Sequence, residues 1–280
     1  MAQSSGANRI TVKNCTIADI GTIDFPEPDS HAVGIQGGDG HIIQNNRTER
    51  TGQAIVLFTG PQSMKNNTIS GNVVKDVYVK SNTGGGGLAI GGDGTTVIGT
   101  ATGNRIFGNV IINTGIGATE TWQGAAIASN LGDYIYIANN TLVNVTSGIY
   151  LTRASEPVQC LVENNTIINP TNYYFLSVGS GTASGTNWVV DYNLFYPAVN
   201  TTTKFSVSPA QTHDTHSVLA DPLFVGSGDY HLTSGSPARD AGTNVGLTLD
   251  FDGRAIPFGA APDIGAYEYG YTSIILRVSP

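Results

Sequence analysis

The stretches YIANNTLV at residues 136–143 and LVENNTII at 161–168 are two copies of one pattern, a short apolar strand interrupted by a pair of Asn residues. Related stretches are ITVKNCTI (10–17), HIIQNNRT (41–48), TISGNVVK (68–75), RIFGNVII (105–112) and VVDYNLFY (189–196). We take the second position of the Asn pair as a marker, which gives Cys15, Asn46, Asn72, Asn109, Asn140, Asn165 and Asn193. Consecutive markers are 25 to 37 residues apart, so the sequence is built from a repeat.

This repeat predicts a solenoid of stacked β-strands. A unit of roughly 20 to 50 residues cannot bury its apolar face alone and needs a neighbour on each side. The apolar runs are short, rich in Ile, Val and Thr, and alternate with a period of two, which is typical of strands rather than helices. An Asn at the same corner of successive coils can hydrogen-bond along the stack and tolerates a left-handed backbone. The predicted fold is therefore all-β, a parallel β-helix of about seven coils.

A second apolar strand follows most of the markers. We align these strands on one inward residue in each coil, namely Ile35, Ile55, Ile90, Ile127, Ile149 and Leu176. This alignment places a column of small residues on the outer surface, namely Gly34, Ala54, Ala89, Ala126 and Gly148.

Composition and charge exclude several classes of function. Only 12% of the 280 residues are charged, and the net charge is −8 with no basic run. We therefore expect no nucleic-acid partner, because phosphate binding needs clustered Lys and Arg. No stretch reaches the 18 apolar residues of a membrane span, and the first ten residues lack the apolar core of a signal peptide. We expect no membrane partner, and we expect the sequence to be a mature region or a part of a longer protein.

Insertions into the repeat indicate where a solenoid carries its binding surface. Between the first and the second strand, coil one inserts residues 20–31, coil three 77–86 and coil four 114–123, whereas coil two connects within a few residues. We expect the three insertions to leave from one corner of the stack and to form the walls of a cleft. The floor of that cleft would be coil two, which carries Arg50.

The residues of this cleft suggest chemistry on an acidic sugar. The position four residues after the marker is Asp19, Arg50 and Asp76 in the first three coils, so Arg50 lies between two acids, and we expect His31 to align with Thr51. β-Elimination or C5 epimerisation of a uronic acid needs a cation to neutralise the carboxylate, a base and an acid. We assign these catalytic roles to Arg50 as the cation, His31 or Lys75 as the base and Tyr78 as the acid. The expected substrate-binding residues are Asp29, Lys80, Glu120 and Trp122.

Other readings of the same residues stay open. An Arg between two acids is often a structural ion pair, and the protein could be a non-catalytic carbohydrate-binding or adhesion protein of a cell or phage surface. A glycoside hydrolase would need two opposed carboxylates, for which Asp250 and Asp252 are the nearest pair in sequence. The acids of the first insertion, Asp24, Glu27 and Asp29, could bind calcium through their oxygens, although no calcium-loop spacing is present.

The chain changes character after the last repeat. Residues 206–280 carry DPLF (221–224), YHLTSGSPARDAG (230–242), DFDGR (250–254) and PDIGAYEY (262–269), with frequent Pro and Gly. We predict two parts, a β-helix over 1–205 and a closing segment over 206–280 that packs on the last coils and covers their unpaired backbone groups.

The NNTI repeats together with this C-terminal pattern resemble the secreted bacterial right-handed parallel β-helix proteins of the pectate-lyase-like superfamily, over nearly the whole chain. The resemblance implies a right-handed helix, a secreted or cell-surface location and an acidic polysaccharide as partner, bound by a monomer rather than a trimer. Alginate and chondroitin lyases and mannuronan epimerases of this group are similar in using Arg, Lys, His and Tyr on the outer face. Asp29 and His31 also resemble part of the Asp-Pro-His-Glu motif of the epimerases, with Ser30 and Ala32 at the other two positions.

Overall fold

The computed structural model describes residues 7–20, 30–58, 64–79, 86–91, 101–118, 124–130, 132–153, 160–179, 188–197, 205–207 and 215–270. Within these residues the chain winds through seven coils, and each coil contributes one strand to each of three seven-stranded parallel sheets, A, B and C. The described residues contain no helix. The predicted right-handed parallel β-helix of about seven coils is confirmed.

Each coil passes through the sheets in the order A, B, C. Sheet A consists of β1 (Thr11–Lys13), β4 (Ile42–Gln44), β8 (Thr68–Ser70), β12 (Arg105–Phe107), β16 (Ile135–Ala138), β19 (Cys160–Glu163) and β22 (Trp188–Asp191). Sheet B consists of β2 (Thr16–Ile20), β5 (Arg47–Thr51), β9 (Val73–Tyr78), β13 (Val110–Ile116), β17 (Thr141–Val145), β20 (Thr166–Ile168) and β23 (Leu194–Tyr196). Sheet C consists of β3 (His31–Gln36), β6 (Gln53–Phe58), β10 (Leu88–Gly91), β14 (Ala125–Asn130), β18 (Ser147–Arg153), β21 (Tyr173–Gly179) and β24 (Phe205–Val207).

Two small sheets complete the described structure. A three-stranded parallel sheet precedes sheet A in three of the coils, and a two-stranded antiparallel sheet lies in the C-terminal segment. The first contains β7 (Met64–Lys65), β11 (Ala101–Thr102) and β15 (Gly132–Asp133), and the second contains β25 (Phe224–Gly226) and β26 (Asp229–Leu232).

A buried ladder of Asn side chains turns each coil from sheet A to sheet B. In its centre, Asn140 Nδ2 donates to Asn165 Oδ1 at 2.9 Å, and Asn109 Nδ2 donates to Asn140 Oδ1 at 2.9 Å. The same bond joins Asn46 to Asn72, Asn72 to Asn109 and Asn165 to Asn193. The ladder follows the predicted markers, and Asn67 belongs to a separate corner, where it pairs with Asn104. Because these amides satisfy one another, the corners can be fully buried.

The core lies between the three sheets and consists of aligned apolar side chains. Ile43, Ile69, Ile106 and Ile137 form one column from sheet A, and each is fully buried. Removing such a side chain from water contributes roughly 1.5–3 kcal/mol. Since each column continues through several coils, neighbouring coils stabilise one another more than any coil stabilises itself.

The alignment predicted for sheet C is wrong in part. The structure pairs Val33, Ile55, Leu88, Ile127, Ile149 and Phe175, so Ile35, Ile90 and Leu176 belong to other columns. For Ile35 and Ile90 the register differs by two residues, which keeps the same face inward and cannot be detected from a period-two pattern, whereas for Leu176 it differs by one residue. The predicted small-residue column is divided between two columns. Gly34 and Ala89 both pair with Val56 and are partly exposed, whereas Ala54 and Ala126 are fully buried, and a Cβ on Gly148 would come within 2.8 Å of Ile167.

The C-terminal segment closes the last coil and then covers the side of the helix. Val218 pairs in parallel with Leu194, and Ser217 Oγ accepts from the backbone N–H of Asn193 at 3.0 Å. Ser217 therefore takes the place of the next ladder Asn. The following residues pack outside sheet B, where Leu194 and Ile264 share a second small core. The predicted boundary at residue 206 borders residues outside the described part and stays a prediction.

Candidate functional site

A second, exposed ladder at the end of the sheet B strands positions Arg50. The residues four positions after the first six markers all have left-handed backbones, with φ between 50° and 60°: Asp19, Arg50, Asp76, Asn113, Asn144 and Asn169. Their side chains hydrogen-bond from coil to coil, for example from Asn113 Nδ2 to Asp76 Oδ1 at 2.8 Å. The column of residues predicted from the spacing is confirmed. Its left-handed backbone fixes the direction in which the Arg50 side chain extends from the coil.

The Arg50 guanidinium is held by two carboxylates. Its Nε lies 2.6 Å from Asp19 Oδ1 and its Nη2 lies 3.0 Å from Asp19 Oδ2, which is a bidentate pair. Its Nη1 donates to Glu49 Oε1 at 2.7 Å. Asp19 belongs to the first coil, as predicted, but Glu49 rather than Asp76 is the second carboxylate bonded to Arg50.

Lys75 approaches the same Glu49 from the third coil. Glu49 and Lys75 are register partners in sheet B, and Lys75 Nζ lies 3.8 Å from Glu49 Oε1 and 3.6 Å from Asp76 Oδ2. One oxygen of Glu49 therefore lies between the guanidinium of Arg50 and the ammonium of Lys75. We call Arg50, Lys75 and Glu49 the cationic corner.

The charges of the cationic corner perturb one another. The hydrogen bond from Arg50 holds the pKa of Asp19 below its usual value. In return, the hydrogen bond and charge of Asp19, followed by the charges of Glu49 and Tyr78, raise the pKa of Arg50. The Arg50 and Asp19 side chains are 41% and 60% exposed, so solvent screens their attraction and the pair contributes little to stability. Tyr78 is the last residue of β9, in the coil next to that of Arg50.

His31 lies elsewhere on the coil than expected. It begins β3 and pairs with Gln53 of the next coil, not with Thr51. Its ring meets the ring of Phe58 edge to face, with the ring centroids 4.7 Å apart, and it contacts the Cβ position of Gly34. These contacts place the His31 ring on sheet C, whereas Arg50 and Lys75 extend from sheet B.

Of the predicted cleft walls, the structure shows which strands the three insertions connect. All three insertions connect a sheet B strand to the next sheet C strand, and coil two makes this connection through Gly52 alone. The predicted common corner is thus confirmed. The expected substrate-binding residues Asp29, Lys80, Glu120 and Trp122 lie outside the described residues, as do the acids Asp24 and Glu27.

No group of three or more potential metal-ligating side chains converges among the described residues. Because the acids proposed for calcium lie outside them, calcium stays a prediction.

The hydrolase candidates Asp250 and Asp252 serve the C-terminal segment. Asp250 accepts from the backbone N–H groups of Asp252, Arg254 and Glu268 at 2.7–3.0 Å. Asp252 Oδ2 lies 2.7 Å from Nε2 of His231. These bonds explain the DFDGR pattern as a structural turn of the C-terminal segment.

Buried carboxyl groups make the C-terminal segment sensitive to pH. The carboxyl of Glu268 is buried and accepts from the backbone N–H groups of Asp263 and Phe258. Burial raises the pKa of Glu268 to about 7. Burial lowers the pKa of His231, but hydrogen bonds to Asp252 and Asp229 outweigh it, so the pKa of His231 is raised.

A groove on sheet A was missed by the sequence analysis. Arg105, Tyr134, Tyr136 and Leu161 line a cavity of about 310 Å³, which Val245 of the C-terminal segment borders. The signal in the sequence was Tyr134 itself, because it occupies a corner where the neighbouring coils have Gly103 and Asn66.

Comparison with known proteins agrees with this architecture. The family description "Right handed beta helix region" matches residues 1–193. The chain belongs to the right-handed β-helix family, which occurs in polysaccharide-active enzymes and in other proteins. A search of curated proteins finds no match. No helix in the described part is long and apolar enough to cross a membrane.

Proposed function

We propose that this protein is a secreted or cell-surface protein of the pectate-lyase-like group that acts on an acidic polysaccharide, as a lyase or an epimerase. The observation that carries this proposal is the Glu49 carboxylate, held between Arg50 at 2.7 Å and Lys75 at 3.8 Å. The cationic corner is therefore spaced to hold a carboxylate. A uronate group of the substrate would replace Glu49 at Arg50, with Lys75 beside it.

The residues of the corner can supply the steps of β-elimination. Arg50 neutralises the substrate carboxylate, which makes the proton on C5 more acidic. A base removes that proton, the C4–O4 bond breaks as the C4–C5 double bond forms, and Tyr78 donates a proton to O4. Of the two predicted bases, Lys75 is nearer to Arg50, because both approach Glu49, whereas His31 packs on Phe58. Lys75 acts as the base in its neutral amine form, so Arg50 alone neutralises the substrate carboxylate. In epimerisation, the proton returns to C5 from the opposite face and no bond to O4 breaks.

The test is a panel of alginate, pectate and chondroitin sulfate, each with calcium and with a chelator. A lyase produces an unsaturated uronate, which is followed by its near-ultraviolet absorbance, and an epimerase changes the C5 configuration, which is followed by NMR. Arg50→Ala and Lys75→Ala should abolish either product. Arg47→Ala is the matched control, because Arg47 also pairs with Glu49 but does not belong to the cationic corner. Product formation that survives Arg50→Ala would refute the assignment.

A non-catalytic carbohydrate-binding role is the second candidate. It is favoured by the ion pairs of Arg50, since three of its nitrogens already donate to carboxylates and a substrate must displace one of them. Binding of one polymer without any product across the panel would support this role. New reducing ends without an unsaturated product would instead indicate a hydrolase.

A further inference from the structure

The groove on sheet A is separate from the cationic corner. Arg105, Tyr136 and Leu161 are register partners on the outer face of three neighbouring coils, and Tyr134 stands at the corner before β16. The corner residues Arg50 and Lys75 extend from sheet B in coils two and three, whereas the groove begins in coil four.

Tyr134 is held in a backbone conformation that its side chain opposes. Its φ is +55°, in the left-handed region, where a bulky side chain is an outlier. The same corner position holds Asn66 and Gly103 in the two preceding coils, residues that accept this conformation readily. Tyr134 is 47% exposed, so burial offsets only part of this strain. Strain that packing does not offset is a reason to look for a ligand.

Arg105 lines the same groove and supplies its positive charge. Its guanidinium carbon lies 5.1 Å from the Phe107 ring centroid and 5.2 Å from the Tyr136 ring centroid, and the residue is exposed. Within the described part of the chain it forms no ion pair, in contrast to Arg50. The Tyr136 hydroxyl donates to the backbone carbonyl of Val245, which fixes the ring that supports Arg105. The groove is therefore preorganised, with a cation and a half-exposed Tyr134 side chain in its lining.

We propose that this groove binds one uronate unit of an acidic polysaccharide as a non-catalytic subsite. The sugar ring would stack on Tyr134, and its carboxylate would pair with Arg105. A pyranose ring presents C–H groups to an aromatic face, and a guanidinium can hold a carboxylate through two parallel hydrogen bonds. The choice of an acidic polymer rests on the proposed function, but the site does not depend on catalysis at the cationic corner.

The test compares Tyr134→Gly and Arg105→Ala with the unmodified protein. Binding of oligogalacturonate and oligomannuronate is measured by calorimetry, with cello-oligosaccharide as the neutral probe and free glucuronate as the single-sugar probe. We expect one of the acidic oligomers to bind at least about 10-fold more tightly than the neutral one, since this factor corresponds to about 1.4 kcal/mol, which a charge-assisted hydrogen bond to Arg105 can supply. Each of the two variants should lose at least that factor. Arg47→Ala, which removes an exposed Arg on another sheet, should not.

Stability separates a binding role of Tyr134 from a structural one. Tyr134→Gly should fold with an unchanged or higher Tm, because Gly accepts the left-handed backbone, and yet should bind more weakly. Unchanged affinity of Tyr134→Gly, equal binding of the neutral oligomer, or no binding of either acidic oligomer would overturn the proposal. A Tm loss in Tyr134→Gly would likewise overturn it, because the ring would then serve the fold.

The two proposals fail in different ways. Arg50→Ala should stop product formation and leave affinity at the groove unchanged. Tyr134→Gly should leave the turnover rate at saturating polymer unchanged and raise KM for long chains. Loss of groove binding in Arg50→Ala would show that only one site exists and would overturn the second.

Discussion

The buried Asn ladder gives the sharpest prediction about stability. In Asn140→Ala, the side chain loses donations to Asn165 Oδ1, Ile106 O and Ala138 O at 2.9–3.1 Å. It also loses the acceptor for the backbone N–H of Asn109 at 3.0 Å. A buried group left without its partner costs about 1–3 kcal/mol, and each further lost bond costs about 1 kcal/mol. Asn140 Oδ1 also loses the donation from Asn109 Nδ2 at 2.9 Å. Since the three lost donations share two amide hydrogens, four bonds are lost in all, and we expect a total loss of roughly 4–6 kcal/mol, equivalent to a fall in Tm of about 8–24 °C.

Asn144→Gly is the matched control for this prediction. Asn144 belongs to the exposed ladder, where its amide donates to Asn113 at 3.4 Å, and Gly tolerates its φ of +53°. We expect a loss below about 1 kcal/mol, because water replaces an exposed hydrogen bond. Unfolding by guanidinium followed by circular dichroism measures both variants. Equal losses in the two variants would show that the buried ladder does not hold the coils together as described.

Three further predictions concern the C-terminal segment and the coil corners. Because the pKa of Glu268 is about 7 in the folded protein and near 4.5 in the unfolded chain, stability should fall as pH rises from about 4.5 to 7, and by roughly 3 kcal/mol if this group acts alone. The raised pKa of His231 acts in the same direction, because the stability that protonated His231 contributes is complete below about pH 6.5 and is lost as pH rises through its pKa in the folded protein. Tm should therefore be higher at pH 5 than at pH 8, and a higher Tm at pH 8 would contradict both assignments. Gly124→Ala should destabilise far more than Gly108→Ala in a thermal shift assay, because both have positive φ but only a Cβ on Gly124 meets another backbone, at 2.2 Å; similar Tm values would reject the steric argument. Asp250→Asn should lower Tm and increase proteolysis of the C-terminal segment, because an amide –NH₂ cannot accept one of its three backbone donors, and normal Tm with lost glycan cleavage would instead revive the hydrolase reading.

The cationic corner shows how far spacing alone predicts a site. Counting four residues from each marker correctly placed Asp19 and Arg50 side by side, because parallel rungs convert sequence position into spatial position. The second partner of Arg50 was predicted wrongly, since Glu49 precedes it in the same strand and the left-handed backbone at Arg50 brings the two side chains together. His31 could not be placed by counting, because it follows an insertion whose length hides the register of β3.

The sequence by itself determined the coil number, the Asn ladder and the common corner of the insertions, since each is a periodic feature and stacked coils repeat the same local physics. Only the tertiary structure decided the register of sheet C and the groove at Tyr134. A two-residue slip leaves the inward and outward faces unchanged, so the choice between Ile35 and Val33 depends on how the third sheet packs against the other two. The groove combines Tyr134 with Val245, residues far apart in sequence, and only the folded C-terminal segment brings them together.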